Sequence, residues 1–247
     1  RFLKENVQLS RSVDNQSPLK TEVREYFKPD SSKATLTNYS LVNKQESNVD
    51  GIPTERYTFA KDNVLMSETE RLVSSQLAIV QEVFNGVPSA PAGYSIALKE
   101  TSEAVGLPTQ RYTFLKDNAV LSETEDKVGS QLSLVKEVFN GTPSTPSGYS
   151  IANEQVSNVD GIPTRRFTFL KNNVTLSETE DKVGGQLAIV KEVFNGTPST
   201  PSGYSIASEQ ESNVDGIATK RFTFLKPNIL SVAQDFKDGE GRVSVQA

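Results

Sequence analysis

KEVFNGTPSTPSGYSIA fills residues 136–152 and is repeated without change at residues 191–207. A second motif has the same period, since GIPTERYTF, GLPTQRYTF, GIPTRRFTF and GIATKRFTF begin at Gly51, Gly106, Gly161 and Gly216, a step of 55 residues. Near-identical copies in series are typical of a tandem array whose units pack on their neighbours. An active site needs one specialised copy of a few groups, so the repetition favours a spacer or a repeated contact surface.

The composition is that of a globular protein at the polar end of the normal range. Of the 247 residues, 35% are hydrophobic and 23% charged, and the formal net charge is −5. Without a basic stripe to neutralise phosphates, we expect no nucleic-acid partner. No apolar run approaches the roughly 20 residues that span a bilayer, so we expect no membrane insertion.

The chain contains neither cysteine nor histidine. The first absence removes disulfides, thiolate nucleophiles and cysteine-type zinc sites. The second removes the usual general base near neutral pH, the Ser–His pair of most hydrolases and the commonest transition-metal ligand. Gly-rich phosphate loops and G-x-S-x-G elbows are also missing from the sequence. We therefore predict a protein that is not an enzyme, with no catalytic, cofactor-binding or metal-binding residues and no cofactor.

Each repeat reads as four strands, here called a to d. In strand a, residues 165–171, Phe167 and Phe169 alternate with Arg166, Thr168 and Leu170. Strand b follows in NVTLSETE (173–180), strand c in QLAIVKEVFN (186–195) and strand d in YSIANEQVSN (149–158). Asp160-Gly161 predicts the hairpin turn between d and a, because both residues tolerate positive φ.

Strand c also fits a helix. Val183, Leu187, Val190 and Phe194 have helical spacing, and Ser177-x-x-Glu180 matches a capping box. Against a helix, Gly184-Gly185 would cost its interior roughly 1 kcal/mol per glycine relative to alanine. The last copy alternates plainly at residues 242–245, which favours a strand. In the first copy, LKTEVREYF (19–27) after Ser17-Pro18 fits a helix start as well as a strand.

The connection Asn-Gly-Thr-Pro-Ser-Thr-Pro-Ser-Gly at 195–203 predicts a linker between units. Each unit then runs in the order d-a-b-c. The predicted organisation is a partial unit at 1–38, full units at 39–93, 94–148 and 149–203, and a terminal unit at 204–247. On this phasing RFLKENVQLS (1–10) is strand a of a further unit, and we expect the chain to be the carboxy-terminal part of something longer.

A strand set of about 45 residues is marginal on its own and needs a packing partner. In strand c, Leu187, Ile189 and Val193 face away from Val190 and Phe194, so both faces of the sheet offer apolar side chains. We predict an all-β fold of tandem four-stranded antiparallel units packed on neighbouring units or on other chains, as sandwiches, a solenoid or a homo-oligomer. A four-stranded propeller blade also fits the strand count and the repeat length, but we rank it lower, because about four and a half copies are too few for an ordinary propeller.

Two residue sets suggest chemistry, and both have a structural alternative. The acidic cluster Glu178, Glu180 and Asp181, which recurs as Glu123, Glu125 and Asp126, offers oxygen ligands for calcium, but no Asp-x-Asp-x-Asp-Gly loop accompanies it. A solvated hairpin is the favoured interpretation. The aromatic pairs of strand a offer a stacking platform for sugars or bases, but large aromatics on one strand face are more often core. The pairs are Tyr57/Phe59, Tyr112/Phe114, Phe167/Phe169 and Phe222/Phe224.

The lines GIPTRRFTFLK (161–171), QLAIVKEVFNGTPSTPSGYSIA (186–207) and KPNILSVAQDF (226–236) resemble repetitive β-rich structural proteins of the tail or fibre type encoded by tailed phages. The resemblance implies a structural protein of a virion and transfers no functional residues. The expected function is thus that of a β-repeat component of an extended homo-oligomeric assembly, such as a phage tail or fibre. Its partners would be copies of itself and other structural proteins.

The alternative is a bacterial cell-surface adhesin or spacer-repeat binding module, located outside the cell. Repeats joined by Thr-Pro-Ser linkers serve as spacers there too, and the units could contact a glycan or a receptor.

Overall fold

A computed structural model of the chain describes residues 3–15, 18–227, 232–235 and 242–245. Regular structure in these residues is β-strand apart from one short 3₁₀ helix, Ser31–Ala34. The all-β prediction is therefore confirmed. No helix in the described part of the chain is long and apolar enough to cross a membrane.

The strands recur in groups of four along the chain. Their bounds are β1 Val7–Asp14, β2 Thr21–Phe27, β3 Tyr39–Val49, β4 Ile52–Lys61, β5 Val64–Val73, β6 Gln76–Phe84, β7 Tyr94–Ala104, β8 Leu107–Lys116, β9 Ala119–Val128, β10 Gln131–Phe139, β11 Tyr149–Val159, β12 Ile162–Lys171, β13 Val174–Val183, β14 Gln186–Phe194, β15 Ser205–Val214, β16 Ile217–Leu225, β17 Val232–Asp235 and β18 Arg242–Val245.

Four sheets of four strands contain the repeats. Sheet 1 has the order β1-β2-β4-β3, sheet 2 β5-β6-β8-β7, sheet 3 β9-β10-β12-β11 and sheet 4 β13-β14-β16-β15. The registers of sheets 1, 2 and 4 are antiparallel, as predicted. Strands β17 and β18 pair antiparallel as a separate two-stranded sheet.

The grouping d-a-b-c within one sheet was wrong. In the letters used above, each four-stranded sheet takes its strands in the chain order b-c-d-a, and the Pro-rich connection lies between its second and third strands. The predicted units 39–93 and 94–148 therefore each contribute strands to two sheets. The physical reason is the pairing of c with a, seen where Lys191 faces Phe222, which buries c in the centre of a sheet.

The first strand also differs from its prediction. The sequence pattern predicts strand a over RFLKENVQLS (1–10), but the strand found there is β1, Val7–Asp14, which pairs with β2 and holds the b position. Asn6 precedes it with φ +66°, as Asn63 with φ +59° precedes β5. The a-to-b turn thus falls within the stretch that the pattern assigned to one strand.

Strand c is extended in every described copy. Gln76–Phe84, Gln131–Phe139 and Gln186–Phe194 are strands, as predicted, and the helical spacing of their apolar residues is incidental. The ambiguous first copy is also a strand, Thr21–Phe27. In the last copy Arg242–Val245 is a strand. The predicted alternation of the side chains there lies outside what the structure describes.

The d-to-a hairpins are tight turns at residues with positive φ. Asp160 and Gly161 have φ of +51° and +82°, and the equivalent pairs at Asp50 and Asp215 have nearly the same values. In sheet 2 the position is occupied by Val105 with φ +54°. A β-branched residue in this region is strained, whereas aspartate is tolerated.

The Pro-rich connection is ordered and returns the chain to the same sheet. It ends in a β-turn in which Tyr94 N–H donates to the Pro91 carbonyl at 3.0 Å, with Gly93 at φ +76°. The equivalent turns precede Tyr39, Tyr149 and Tyr204. A turn of this type needs a residue that adopts positive φ before the tyrosine, and three of the four copies use glycine there.

The chain divides into two compact units. One comprises Arg1–Ser122, Glu137–Pro143 and Val156–Arg165, and contains sheets 1 and 2. The other comprises Glu123–Lys136, Ser144–Gln155 and Arg166–Ala247, and contains sheet 4. The strands of sheet 3 contribute residues to both.

Candidate functional site: the junctions between sheets

The repeated contact of this molecule is the junction at which one sheet ends and the next begins. Strand a of one sheet runs through two residues into strand b of the next, at Asp62-Asn63, Asp117-Asn118 and Asn172-Asn173. The second residue has φ of +59° to +62°, which asparagine tolerates better than most residues. At the first residue, the Asp62, Asp117 and Asn172 N–H groups donate to the carbonyls of Asn38, Gly93 and Gly148 at 2.9 Å.

An asparagine side chain fastens each junction. At the second one, Asn140 Nδ2 donates to Ser95 Oγ at 2.9 Å and to Asp117 Oδ1 at 2.6 Å, and the Ser95 hydroxyl donates to the same carboxylate at 2.7 Å. We call this arrangement the Asn clamp. The Ser95 and Asn140 hydrogen bonds lower the pKa of the Asp117 carboxyl, because they stabilise its charged form.

The clamp recurs at the other two junctions. Asn195 Nδ2 donates to Ser150 Oγ at 3.0 Å and to Asn172 Oδ1 at 2.7 Å. Asn85 makes the same pair of bonds to Ser40 and Asp62. The third clamp thus differs from the first two in having a neutral amide in place of the carboxylate.

A glycine follows every clamp asparagine. A Cβ added at Gly141 would overlap Asn118 Oδ1, and one at Gly86 or Gly196 would likewise overlap the Oδ1 atom of Asn63 or Asn173. The turn asparagine therefore occupies the space that a side chain would need. Asn118 Oδ1 in turn accepts from the Thr142 N–H at 3.1 Å, which ties the start of the Pro-rich connection to the turn.

Apolar side chains from one end of sheet 2 pack against strands β9, β10 and β12. Sheet 2 supplies Val73, Ala78, Ala97 and Leu115, and the next strands supply Ala119, Leu121, Phe139 and Ile162. All eight residues are buried, with Val159 packed at the margin. Leu115 is the penultimate residue of β8, and Ile162 is the first residue of β12. The contact therefore joins the end of one sheet to the start of the next.

The same core forms 55 residues later, in the second unit. Val128 and Leu170 pack there with Leu176, Phe194 and Ile217, and all five are buried. Phe194 of strand c therefore packs against residues of a neighbouring sheet in the same chain, whereas Leu187, on the opposite face of the strand, is 46% exposed. At this junction the Ser130 N–H donates to the Leu176 carbonyl at 2.8 Å, and the Gly129 N–H to Asp215 Oδ2 at 3.0 Å.

Each junction leaves a surface groove beside the clamp. The grooves have volumes of about 600, 400 and 610 Å³ and contain Asn85, Asn140 and Asn195 respectively. Strand d of the preceding sheet forms one wall through Leu41, Ile96 and Ile151, all exposed apolar residues. The second and third grooves reach Thr164 and Thr219 of the following sheet.

A glutamate in the middle of strand c accepts a hydrogen bond from the threonine near the start of strand a. Thr109, Thr164 and Thr219 hydroxyls donate to Glu82, Glu137 and Glu192 at 2.6, 3.1 and 3.2 Å. The Thr109 hydrogen bond is the largest cause of a lowered pKa at the Glu82 carboxyl, followed by the Ser102 hydrogen bond. Glu82 is thus a charged acceptor that holds two strands together, not a proton donor near neutral pH.

The acidic cluster suspected of binding calcium lies along edge strands. Glu178 and Glu180 share a face of β13, as predicted from alternation. Glu178 pairs with Lys191 at 3.2 Å, Glu123 with Lys136 at 3.1 Å, and Asp126 with Arg166 at 3.3 Å. Within the described residues, no group of three or more acidic side chains is placed to hold a metal ion.

The aromatic pairs of strand a are core, as predicted. Tyr57, Phe59, Tyr112, Phe114, Phe167, Phe169, Phe222 and Phe224 are each at most 2% exposed. The rings within each pair lie 6.2 to 6.5 Å apart in a stacked arrangement. In sheet 4 the pair packs with Val193, Ile189 and Tyr204. These rings are closed to a sugar or a base.

The sequence did not single out the junction residues. The sequence nevertheless contains two motifs that mark the junctions. Asn-Gly follows the last phenylalanine of strand c at 84–86, 139–141 and 194–196, and serine is the second residue of strand d at 40, 95 and 150. The two partners are 45 residues apart, so nothing local connects them.

No protein-family model, curated protein or solved structure matches the chain.

Proposed function

We propose that the chain is a non-enzymatic structural protein, a β-repeat component of an extended homo-oligomeric assembly such as the tail or fibre of a phage virion. The observation that supports it best is the threefold recurrence of one junction, with the same turn, clamp and glycine each time. With such a junction, each further 55-residue repeat adds one more sheet that packs on the sheet before it. Repeat proteins build extended scaffolds in this way.

The polar groups of the junction also suit a structural role. The Asp117 and Glu82 carboxylates have lowered pKa values because hydroxyl and amide groups donate to them. Satisfied charged acceptors stabilise a fold, whereas a catalytic acid or base needs a pKa near the working pH. The expected location is the virion, in contact with other copies and with other structural proteins.

A cell-surface adhesin or spacer-repeat module is the second candidate. It is favoured by the packing of successive sheets within one chain, since the cores around Leu115 and Leu170 need no second copy. The edge strands β5 and β7 also favour this candidate. Their acidic residues and their β-bulges at Leu65/Ser67 and Ile96/Leu98 disfavour edge-to-edge pairing with another chain.

Fractionation of the source culture separates these candidates. Gradient-purified particles, washed envelopes and the cell interior are digested with trypsin, and the chain is quantified through peptide 100–111, which occurs once in the sequence. We expect the peptide in the particle fraction at several copies per particle. Enrichment in the envelope, lost when intact cells are treated with protease, would favour the adhesin. Recovery only from the cell interior as a monomer would contradict both candidates.

A further inference from the structure

We propose that Asn195 is a site of spontaneous deamidation in the folded chain, and that the equivalent Asn140 is protected by the carboxylate of Asp117. The inference goes beyond the proposed structural function and is independent of where the protein is located. It concerns the Asn-Gly pairs of the three clamps, at 85–86, 140–141 and 195–196, which are the only such pairs in the sequence. Asparagine deamidates most readily before glycine, because glycine has no side chain to obstruct its own nitrogen.

The junction needs both residues of this pair. In the third clamp Asn195 bridges two elements through its Nδ2 group, which donates to Ser150 Oγ and to Asn172 Oδ1. The glycine is required because a Cβ at Gly196 would overlap Asn173 Oδ1. A dipeptide that deamidates more slowly therefore does not fit the position, and chemical lability accompanies the clamp.

Deamidation proceeds through a cyclic imide. The Gly196 nitrogen, after losing its proton to hydroxide, attacks Asn195 Cγ. A Cγ–N bond forms, the Cγ–Nδ2 bond breaks, and Nδ2 leaves as ammonia with a proton from water. Water then opens the imide, giving aspartate if the new Cγ–N bond breaks and isoaspartate if the original peptide bond breaks. The sum is one amide and one water converted to one carboxylic acid and one ammonia, with no redox step.

The local sequence and backbone are the same at Asn140 and Asn195. Both lie in KEVFNGTPSTPSGYSIA, at 136–152 and 191–207. Both side chains are exposed, so water reaches both, and their φ angles are +43° and +45°. A difference in deamidation rate within the folded chain must therefore come from the groups that surround each clamp.

The acceptor of the clamp is the difference. Asn140 Nδ2 donates to Asp117 Oδ1 at 2.6 Å, whereas Asn195 Nδ2 donates to Asn172 Oδ1 at 2.7 Å. Hydrogen bonds from Ser95 and Asn140 lower the pKa of Asp117, so its carboxylate is charged at the alkaline pH that favours deamidation. A hydrogen bond with a charged partner is about twice as strong as a neutral one, so the Asn140 amide is held more firmly.

The charge of Asp117 also opposes the reaction itself. Attack requires a deprotonated Gly141 nitrogen and passes through an anionic intermediate at Asn140 Cγ, and a carboxylate within hydrogen-bond distance of Nδ2 disfavours both negative charges. The product would be a second carboxylate beside the first. At Asn195 the acceptor is neutral, and the Asn172 amide carries donors of its own that a new carboxylate accepts.

The first clamp belongs with the protected ones. Asn85 Nδ2 donates to Asp62 Oδ1 at 2.7 Å, so its amide also faces a carboxylate. Conversion is therefore expected to concentrate at the third junction, between sheets 3 and 4. There it removes the Nδ2 donor, and isoaspartate adds one carbon to the backbone directly after Phe194, which packs in the core of that junction.

Mass spectrometry of the full chain tests the proposal. The folded chain is incubated at mildly alkaline pH beside a sample in urea, and both are digested with trypsin to peptides 137–165 and 192–220. Fragmentation spectra locate the new carboxyl group. In urea, Asn140 and Asn195 should convert at equal rates, because their neighbours in sequence are identical. In the folded chain, Asn195 should convert roughly twofold to tenfold faster than Asn140, from the added strength of a charge-assisted hydrogen bond.

Two variants exchange the acceptors. Asp117→Asn should raise the rate at Asn140 to that of Asn195, and Asn172→Asp should lower the rate at Asn195 to that of Asn140. Each places at one junction the residue that the chain already uses at another, so each is compatible with the fold. Asp181→Asn is the matched control, because it removes an exposed carboxylate near the far end of β13, and both rates should stay unchanged.

Equal rates at Asn140 and Asn195 in the folded chain, or faster conversion at Asn140, would overturn the proposal. Rates that do not follow the exchanged acceptor would also overturn it, as would an Asn195 that stays intact in the folded chain while the sample in urea converts. Fractionation of the source culture reports on the structural function separately, so either result leaves that function to its own test.

Discussion

At the scale of single residues, side chains that tolerate positive φ or bridge two sheets decide where the chain turns. The d-to-a hairpin uses aspartate at φ +51° or +52° in three copies and Val105 at +54° in the other. The clamp uses asparagine in all three junctions, but its acceptor is a carboxylate in two of them. These natural differences between equivalent positions supply matched comparisons within one protein.

Val105→Asp should stabilise the protein. The valine is 82% exposed and held in a strained backbone region, so its replacement removes strain and loses little burial. We expect a gain of about 1 kcal/mol in the free energy of unfolding, measured by urea denaturation. Asp160→Val, the reverse change at the equivalent turn, should cost a similar amount. Equal stabilities for both variants and the unmodified chain would show that the turns are not under the strain assigned to them.

Asn140→Asp should weaken the second junction more than Asn195→Asp weakens the third. The new carboxylate at 140 would face Asp117, whereas that at 195 would face the Asn172 amide. We expect a larger fall in the urea midpoint at pH 7 for Asn140→Asp than for Asn195→Asp, because only the first substitution places two carboxylates side by side.

The pH dependence gives a second check on this pair. The pKa of Asp117 is lowered in the folded chain, so its contribution to stability is complete above its ordinary value of 3.8 and is lost as the pH falls through the folded value. Removing the Asn140 donor raises that folded value, so the acid-side loss of stability in Asn140→Asp should be shallower than in the unmodified chain. Identical acid-side profiles would contradict the assigned hydrogen bond.

At the scale of elements, a sheet is assembled from two hairpins separated by the Pro-rich connection. Alternation along Phe167 and Phe169 predicted strand a and its buried face, and Asp160-Gly161 predicted its turn. The grouping of strands was missed because periodicity shows which residues share a face but not which strand lies alongside. The composition at 195–203 indicated a break between units, yet tight turns before Tyr149 and Tyr204 return the chain to its own sheet.

The candidate site was missed for a related reason. The Asn clamp joins residues 45 positions apart, and each of its side chains is of a type common in loops. The sequence predicted that strand c packs against more than one neighbour, and Phe194 does contact a second sheet, but the pattern did not show which neighbour it would meet. Long-range pairing, rather than local propensity, carries that information.

Gly129→Ala should be more damaging than Gly184→Ala. Both glycines lie in the b-to-c turn with φ of +56° and +59°, so both substitutions carry the same backbone strain. At Gly129 an added Cβ would overlap the Leu176 carbonyl oxygen, whereas at Gly184 it would meet nothing within 4 Å. We expect Gly129→Ala to lose about 1–3 kcal/mol more than Gly184→Ala in urea denaturation. Similar losses would mean that the turn does not touch the next sheet.

At the scale of the whole molecule, the repeated junction makes the array a chain of nearest-neighbour contacts. The cores around Leu115 and Leu170 are the same set of positions 55 residues apart, each formed within one unit of the chain. Stability in such arrays is the sum of what each repeat and each interface contributes. Damage at one interface should therefore spread to the two sheets that share it and decline beyond them.

Hydrogen exchange of the full chain carrying Leu170→Ala tests this account most directly. Leu170 is fully buried in the core between sheets 3 and 4, so its truncation should cost about 2–5 kcal/mol. Leu132→Ala is the control, because Leu132 is 59% exposed on β10. We predict faster amide exchange in β11, β12 and β14–β16 of Leu170→Ala, with β1–β4 unchanged. Faster exchange confined to β12, with β14–β16 as protected as in the unmodified chain, would contradict the claim that the junctions couple successive sheets.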